Sequence, residues 1–177
     1  IKKRKIKIVY IGRLKKRKGS LVLVDIINYF KNSNDIEFIL CGFNNDEFYK
    51  VSKKQYQNVK VLGFLDDVKN VYNEIDILIL PSFHEGLSYV VLEAMANGIL
   101  VIANNILGVN SLIKNAYNGI LIDNNQSELF ISEIKKTISN KKLIYKYSNE
   151  SKSTAKNFDR DFFLKEYSKL LYSIKYK

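Results

Sequence analysis

The stretch HEGLSYVVLEAMANG, residues 84–98, sets two glutamates eight positions apart, Glu85 and Glu93. Glu85 follows the chain's one histidine, His84, and Glu93 lies among Val90, Val91, Leu92, Ala94, Met95 and Ala96. An unpaired buried charge is costly, so Glu93 requires either solvent or a partner. An ion pair with a nearby Lys or Arg is the plain way to satisfy it. If a helix runs from about Ser88 to Asn97, Glu93 stands roughly one and a half turns into it, with Glu85 in the preceding loop. Both carboxylates then face one cleft without touching. Two acceptor-only groups at that separation suit hydroxyls on two different sugars better than a shared proton. Gly86 permits close backbone approach, and the amides of Gly86, Leu87 and Ser88 point outward at the helix start, where the dipole favours an anion.

A second group lies in GRLKKRKGS, residues 12–20. Arg13 and Lys18 flank a turn ahead of a helix and form a cradle for phosphate oxygens. Solvated cations beside a turn glycine, Gly12, are the simpler alternative. His84 has no second histidine or cysteine to share a metal with, so no metal site is expected and His84 reads as a rim residue.

These groups need elements to hold them, and the chain supplies a regular alternation. IKIVYI (6–11), IEFILC (36–41), VKVLGF (59–64), DILILP (76–81), ILVIA (99–103) and GILI (119–122) read as strands. Helical spacing falls at residues 19–31, 45–55, 88–97 and 109–115. A further short helix follows Asp66 or Asp67 as N-cap. From Ser127 onward two or three helices follow, the last being DRDFFLKEYSKLLYSIKY. The pattern predicts one α/β domain over residues 1–177. Its sheet is doubly wound, six-stranded and mostly parallel, with helices on both faces and more at the C-terminus. Ligands bind beyond the carboxyl ends of such strands, so the loops after the first, fourth and fifth strands matter most.

Composition narrows the function. The net charge is +11, and KKRK occurs at residues 2–5 and again at 15–18. This implies attraction to phosphates of nucleotides, nucleic acid or anionic lipids without choosing among them. No apolar run is long enough to span a membrane, and the basic N-terminus lacks the features of a signal peptide. The single cysteine, Cys41, excludes an internal disulfide and suits a reducing compartment. Its neighbours Ile39 and Leu40 make it a buried, inert thiol rather than a nucleophile. An acidic pocket after the first strand, which a phosphorelay receiver needs, is replaced here by cations. A first residue of Ile1 leads us to expect a fragment of a longer protein. The abundance of Lys, Asn and Ile points to an AT-rich bacterial genome.

The spacing Glu85–x7–Glu93 within EGLSYVVLEAMANG resembles the signature of retaining glycosyltransferases with two Rossmann-like domains (the GT-B architecture), family four in particular. GRLKKRKG is similar to that family's G-R-x4-K-G. VKVLGFLDDVKNVYNEIDILILPSFHEG resembles its segment ending in a proline-serine and glutamate-glycine loop, and NAYNGILI its NG-containing element. The likeness covers roughly residues 6–175 and corresponds to the C-terminal, donor-binding half, with the N-terminal acceptor domain absent.

The resemblance implies a role for each matching residue. Arg13 and Lys18, beside Gly12, bind the donor diphosphate and stabilise the leaving nucleoside diphosphate. The backbone of Gly86, Leu87 and Ser88 meets the distal phosphate and the transferred sugar, and Glu85 the hydroxyls of that sugar. Glu93 takes the ribose hydroxyls, and residues around Phe64 and Leu65 meet the base. No metal or cofactor is implied. The partners are a UDP- or GDP-sugar, with mild preference for UDP, and a saccharide or lipid-linked acceptor. The setting is cytoplasmic, with peripheral contact at the inner face of an anionic membrane left open and no nucleic acid. Asp159-Arg160-Asp161 matches the metal-binding D-x-D of the other major glycosyltransferase fold. It opens a predicted terminal helix, where acids favour the dipole, and is taken as incidental. The family's usual proline is replaced at Leu100, and Leu107, Asn110 and Ser111 replace a glycine pair and P-E, changes that bear on sugar identity. A nucleotide-sugar epimerase of the same architecture, and a basic module for nucleic acid or membrane, are the alternatives.

Overall fold

The computed structural model describes residues 4–42 and 56–159, together with Lys169. Six strands form one parallel sheet: β1 Ile6–Ile11, β2 Ile36–Cys41, β3 Val59–Gly63, β4 Ile77–Leu80, β5 Leu100–Asn104 and β6 Ile120–Ile122. Their order across the sheet is β3-β2-β1-β4-β5-β6. Strand order reverses between β1 and β4, which pair through Ile8↔Ile77 and Val9↔Leu78. A crevice at the carboxyl ends of these two strands is the topological switch point of such a sheet.

The alternation along each strand assigns the faces. Ile8 and Tyr10, Phe38 and Leu40, Ile77 and Ile79, and Leu100 and Ile102 belong to one buried cluster. Val9, Ile39 and Cys41, Leu78 and Leu80, and Val101 and Ala103 belong to the other. Side chains of successive strand residues point to opposite faces, so a strand that is apolar throughout is buried twice over. On the first face lie α1 (Ser20–Phe30), α4 (Ser127–Ser139) and α5 (Lys142–Ala155), which contribute Leu23, Ile27, Phe130, Ile134 and Ile144. On the second lie α2 (Lys69–Tyr72) and α3 (Tyr89–Ala96), which contribute Tyr72, Val91, Ala94 and Met95. Each fully buried aliphatic side chain stabilises the fold by about 1.5–3 kcal/mol relative to exposure. The expected doubly wound α/β sheet is the observed one, with every strand pairing parallel.

Two elements differ from expectation. The helix expected over 109–115 is a run of turns, in which Asn110 N donates to Ile106 O at 3.0 Å and Ile113 N to Val109 O at 3.0 Å. Gly108, at φ +86°, enters it in a left-handed conformation, and the buried Asn118 side chain ends it by accepting Lys114 N at 2.7 Å. The short helix after Asp66 and Asp67 forms as a single turn, but its N-cap is Val68 and neither aspartate. Asp67 Oδ1 accepts Lys69 N at 2.8 Å, and by Asp76 the chain already donates N–H to Lys7 O at 3.0 Å on its way into β4. The predicted helix at 45–55, and the one beyond Asp159 apart from Lys169, lie outside the described residues. Among the described residues no helix is long and apolar enough to cross a membrane.

Cys41 closes β2 at 1% exposure, and burial pushes its thiol up from 9.0 to about 11. In the folded chain it should therefore stay unlabelled by a thiol reagent and react fully once urea unfolds the protein. Between pH 9.0 and about 11 only the unfolded chain ionises this thiol, so its contribution to stability falls as pH rises through that window. Labelling of native protein as fast as that of unfolded protein would contradict this placement.

Candidate functional site

The loop after β1 is shaped by what points inward. Tyr10, 1% exposed, donates its hydroxyl to Arg13 O at 2.9 Å, and Leu14 is buried. The Arg13 side chain and Lys15 to Arg17 are thereby left facing solvent. A 3-10 turn, Lys16–Lys18, then leads to Gly19 at φ +75°. A Cβ at Gly19 would lie 1.7 Å from Pro81 O, so only glycine lets this turn press against the end of β4. Phe83 N donates to Arg17 O at 3.0 Å and joins the two loops a second time.

The loop after β4 is clamped from its other side by two asparagine amides. Asn125 Nδ2 donates to Pro81 O at 2.7 Å, and Asn104 Nδ2 to Ser82 O at 2.9 Å. Between the clamps, Ser82 Oγ donates to Glu85 Oε1 at 2.7 Å. Lys18 Nζ donates to both oxygens of the same carboxylate, each at 2.7 Å. The Lys18 and Glu85 side chains are 23% and 12% exposed, so water screens this pair less than a surface pair. An ammonium carries three N–H donors, and two are used here.

Beyond Glu85 the backbone is rich in unused donors. Among the described residues, the first amide from Gly86 onward to reach a backbone carbonyl is that of Leu92, which donates to Ser88 O at 3.1 Å. Ser88 is the buried N-cap of α3 and makes no capping bond with its side chain. Free amides and the positive end of the helix dipole therefore stand beside Lys18. Gly108 supports this segment from below, since a Cβ there would lie 1.7 Å from Gly86 O.

Glu93 answers differently from Glu85. It is exposed, while Val91, Ala94 and Met95 on the same helix are buried. Its Oε2 accepts the hydroxyl of Tyr72 at 2.8 Å, and no cation pairs with it among the described residues. The carboxylate therefore has both solvent and a partner. It borders an apolar depression of about 490 Å³ lined also by Tyr89, Leu92, Ala96, Lys152 and Phe158. Phe64 is 55% exposed, and Leu65 is half-buried against the second cluster. His84 is exposed, and no three His, Cys, Asp or Glu side chains converge among the described residues. A depression of about 720 Å³ lies at the opposite, amino edge of the sheet, where Lys5, Lys31, Tyr56 and Asn58 line it, and shares no residue with these strand ends.

Residues 1–157 match the family described as Glycosyl transferases group 1. The chain belongs to that family. An Escherichia coli UDP-Gal:alpha-D-GlcNAc-diphosphoundecaprenol alpha-1,3-galactosyltransferase is 32% identical over 143 residues, covering 75% of this chain and 36% of that protein. HepE of Anabaena, solved in complex with UDP and glucose, superposes with TM-score 0.80 at 22% identity over 96% of this chain and 49% of its own. The C-terminal domain of LpcC, a glycosyl transferase group 1 family protein of Francisella tularensis, gives TM-score 0.75 at 24% identity, covering 87% and 86%. At these identities the two structures speak for the fold alone. The chain thus spans about a third of the Escherichia coli relative's length.

Of the residues singled out in this group 1 chain, Lys18 and Glu85 are brought into contact, next to the amides of Gly86 to Ser88, while Arg13 is exposed on the same turn as Lys18. Glu93 shares no partner with them. Ser82, Tyr72, Asn104 and Asn125 escaped the sequence reading. Ser82 had a local signal, the S-x-x-E spacing to Glu85 that marks reciprocal capping near helix starts. Tyr72 and the two asparagines had none, because each acts across 21 or more residues of chain. Replacing Gly108 by Ala must displace its own loop or Gly86 O. We expect a loss above about 1 kcal/mol in urea titration. The control Gly86→Ala, with open space at its Cβ, should lose less. Equal stability of the two variants would dismiss Gly108 as a support.

Proposed function

We propose that this chain is the C-terminal, donor-binding half of a retaining, metal-independent glycosyltransferase. It takes a UDP- or GDP-sugar and passes the sugar to a saccharide or lipid-linked acceptor held by an N-terminal domain. The observation that carries this reading is the Lys18–Glu85–Ser82 cluster beside unused amides at the switch point, in a chain of the group 1 family. The Escherichia coli relative, named for UDP-Gal and a diphosphoundecaprenol-linked acceptor, supports the same substrate classes.

In the reaction, the bond between the anomeric carbon and the diphosphate breaks, and the acceptor hydroxyl forms the new bond on the same face of the sugar, giving up its proton to the departing diphosphate. Negative charge collects on the departing diphosphate. Arg13, the third N–H of Lys18 and the amides from Gly86 to Ser88 meet that charge with fixed donors, so no metal ion is required there. Glu85, locked by Lys18 and Ser82, orients hydroxyls of the transferred sugar. Glu93 accepts from the ribose, and the backbone near Phe64 and Leu65 borders the base. The reaction takes place in the cytoplasm, and a lipid-linked acceptor brings the enzyme to the inner face of the membrane.

Calorimetry of the 177-residue chain with UDP and GDP tests the reading. We expect binding of at least one of them in the presence of a chelator. Arg13→Ala should weaken it about tenfold, with little change for uridine. Absence of binding by folded protein, or equal losses for UDP and uridine, would refute it.

A further inference from the structure

Tyr72 ends the one-turn helix α2 and is 4% exposed, packed in the apolar cluster that contains Ile39, Cys41 and Ile75. A phenol in an apolar layer needs a partner for its hydroxyl, and a phenylalanine would otherwise pack there at less cost. The partner is Glu93 Oε2 on the next helix, at 2.8 Å. Glu93 does not need Tyr72 for solvation, because it is exposed and water can reach it. What the bond supplies is position. A surface glutamate is free about its side-chain torsions and loses that freedom when one oxygen is tied to the core.

The tie is also selective. Tyr72 occupies Oε2, and Oε1 has no partner among the described residues. Resting on the donor-binding reading above, we propose that Tyr72 is the positioning residue for Glu93, holding Oε2 so that Oε1 is presented to the ribose hydroxyls of the nucleotide. The donor stays a donor. Burial first, then the hydrogen bond and charge of Glu93, push the phenol up, so it keeps its proton throughout the neutral range. A core-anchored carboxylate meets a sugar without first being ordered, which is the advantage of a preorganised site.

The test is calorimetry on the 177-residue chain with UDP and with inorganic pyrophosphate, which lacks the ribose. Tyr72→Phe keeps the ring and removes only the hydroxyl. It should bind UDP roughly tenfold more weakly and bind pyrophosphate as the wild type does. On a Glu93→Ala background it should add no further loss, because the interaction it served is gone. Glu93→Asp shortens the arm by one methylene at an exposed site and leaves the core intact. It should show the same split between UDP and pyrophosphate, and it tests the idea even if Tyr72→Phe fails to fold. Wild-type UDP affinity in Tyr72→Phe or Glu93→Asp, or equal loss of UDP and pyrophosphate, overturns the positioning role while leaving the donor reading standing. A folded wild-type chain that binds neither UDP nor GDP overturns both.

Discussion

The carbonyl of Pro81 is approached by two segments that are remote in sequence, and the distances allowed there determine where the charged side chains end up. Gly19 comes so close that any Cβ would overlap the oxygen at 1.7 Å, and the Asn125 amide donates to it at 2.7 Å. With Gly19 fixed, Lys18 is delivered over the loop after β4, where Glu85 waits four residues beyond Pro81. The bond from Phe83 N to Arg17 O holds the two loops in register. The ion pair is therefore a consequence of backbone packing. A larger residue at position 19 would move the cation before it altered any charge.

That ordering matters for energetics. Exposed ion pairs contribute little, and fully buried ones must offset a large desolvation penalty. The Lys18–Glu85 pair lies between these limits, with Ser82 satisfying one more lone pair of the carboxylate. Its stabilising value is modest, while its geometric value is large. Both charged groups are ordered before any ligand arrives, and the lysine retains a donor. An anion can be met by Lys18 and the free amides ahead of α3 without breaking the contact to Glu85.

The sheet was legible because its chemistry is local. Period-two burial in IKIVYI and IEFILC, and a run such as DILILP that is apolar on both faces, can be read from neighbouring residues alone, and all six strands formed within a residue or two of expectation. The turn between Arg13 and Lys18 was legible for the same reason, as both residues flank it. The turns at 107–113 were not, since Gly108 and Asn118 override a spacing that is helical on its face. Nor were the contacts that finish the site. Lys18 meets Glu85 across 67 residues, and Asn125 meets Pro81 across 44, with no periodicity to reveal either. A pattern in sequence reports which face a residue takes, and only the packed loops report whom it meets there.

Glu85 and Glu93 show how far identical side chains can be separated by surroundings. Glu85 is nearly enclosed and bound by an ammonium and a serine hydroxyl, so its charge is largely answered within the protein. Glu93 is open to solvent and held by a neutral phenol, so its full negative charge remains on display. A carboxylate matched by a cation next to free amides adds little repulsion toward an incoming anion. A carboxylate matched only by a phenol repels anions and favours neutral hydroxyls. The two glutamates thus divide the carboxyl edge of the sheet by charge. The end nearest Lys18 presents a cation beside free amides, and the middle of α3 presents a carboxylate held by a phenol.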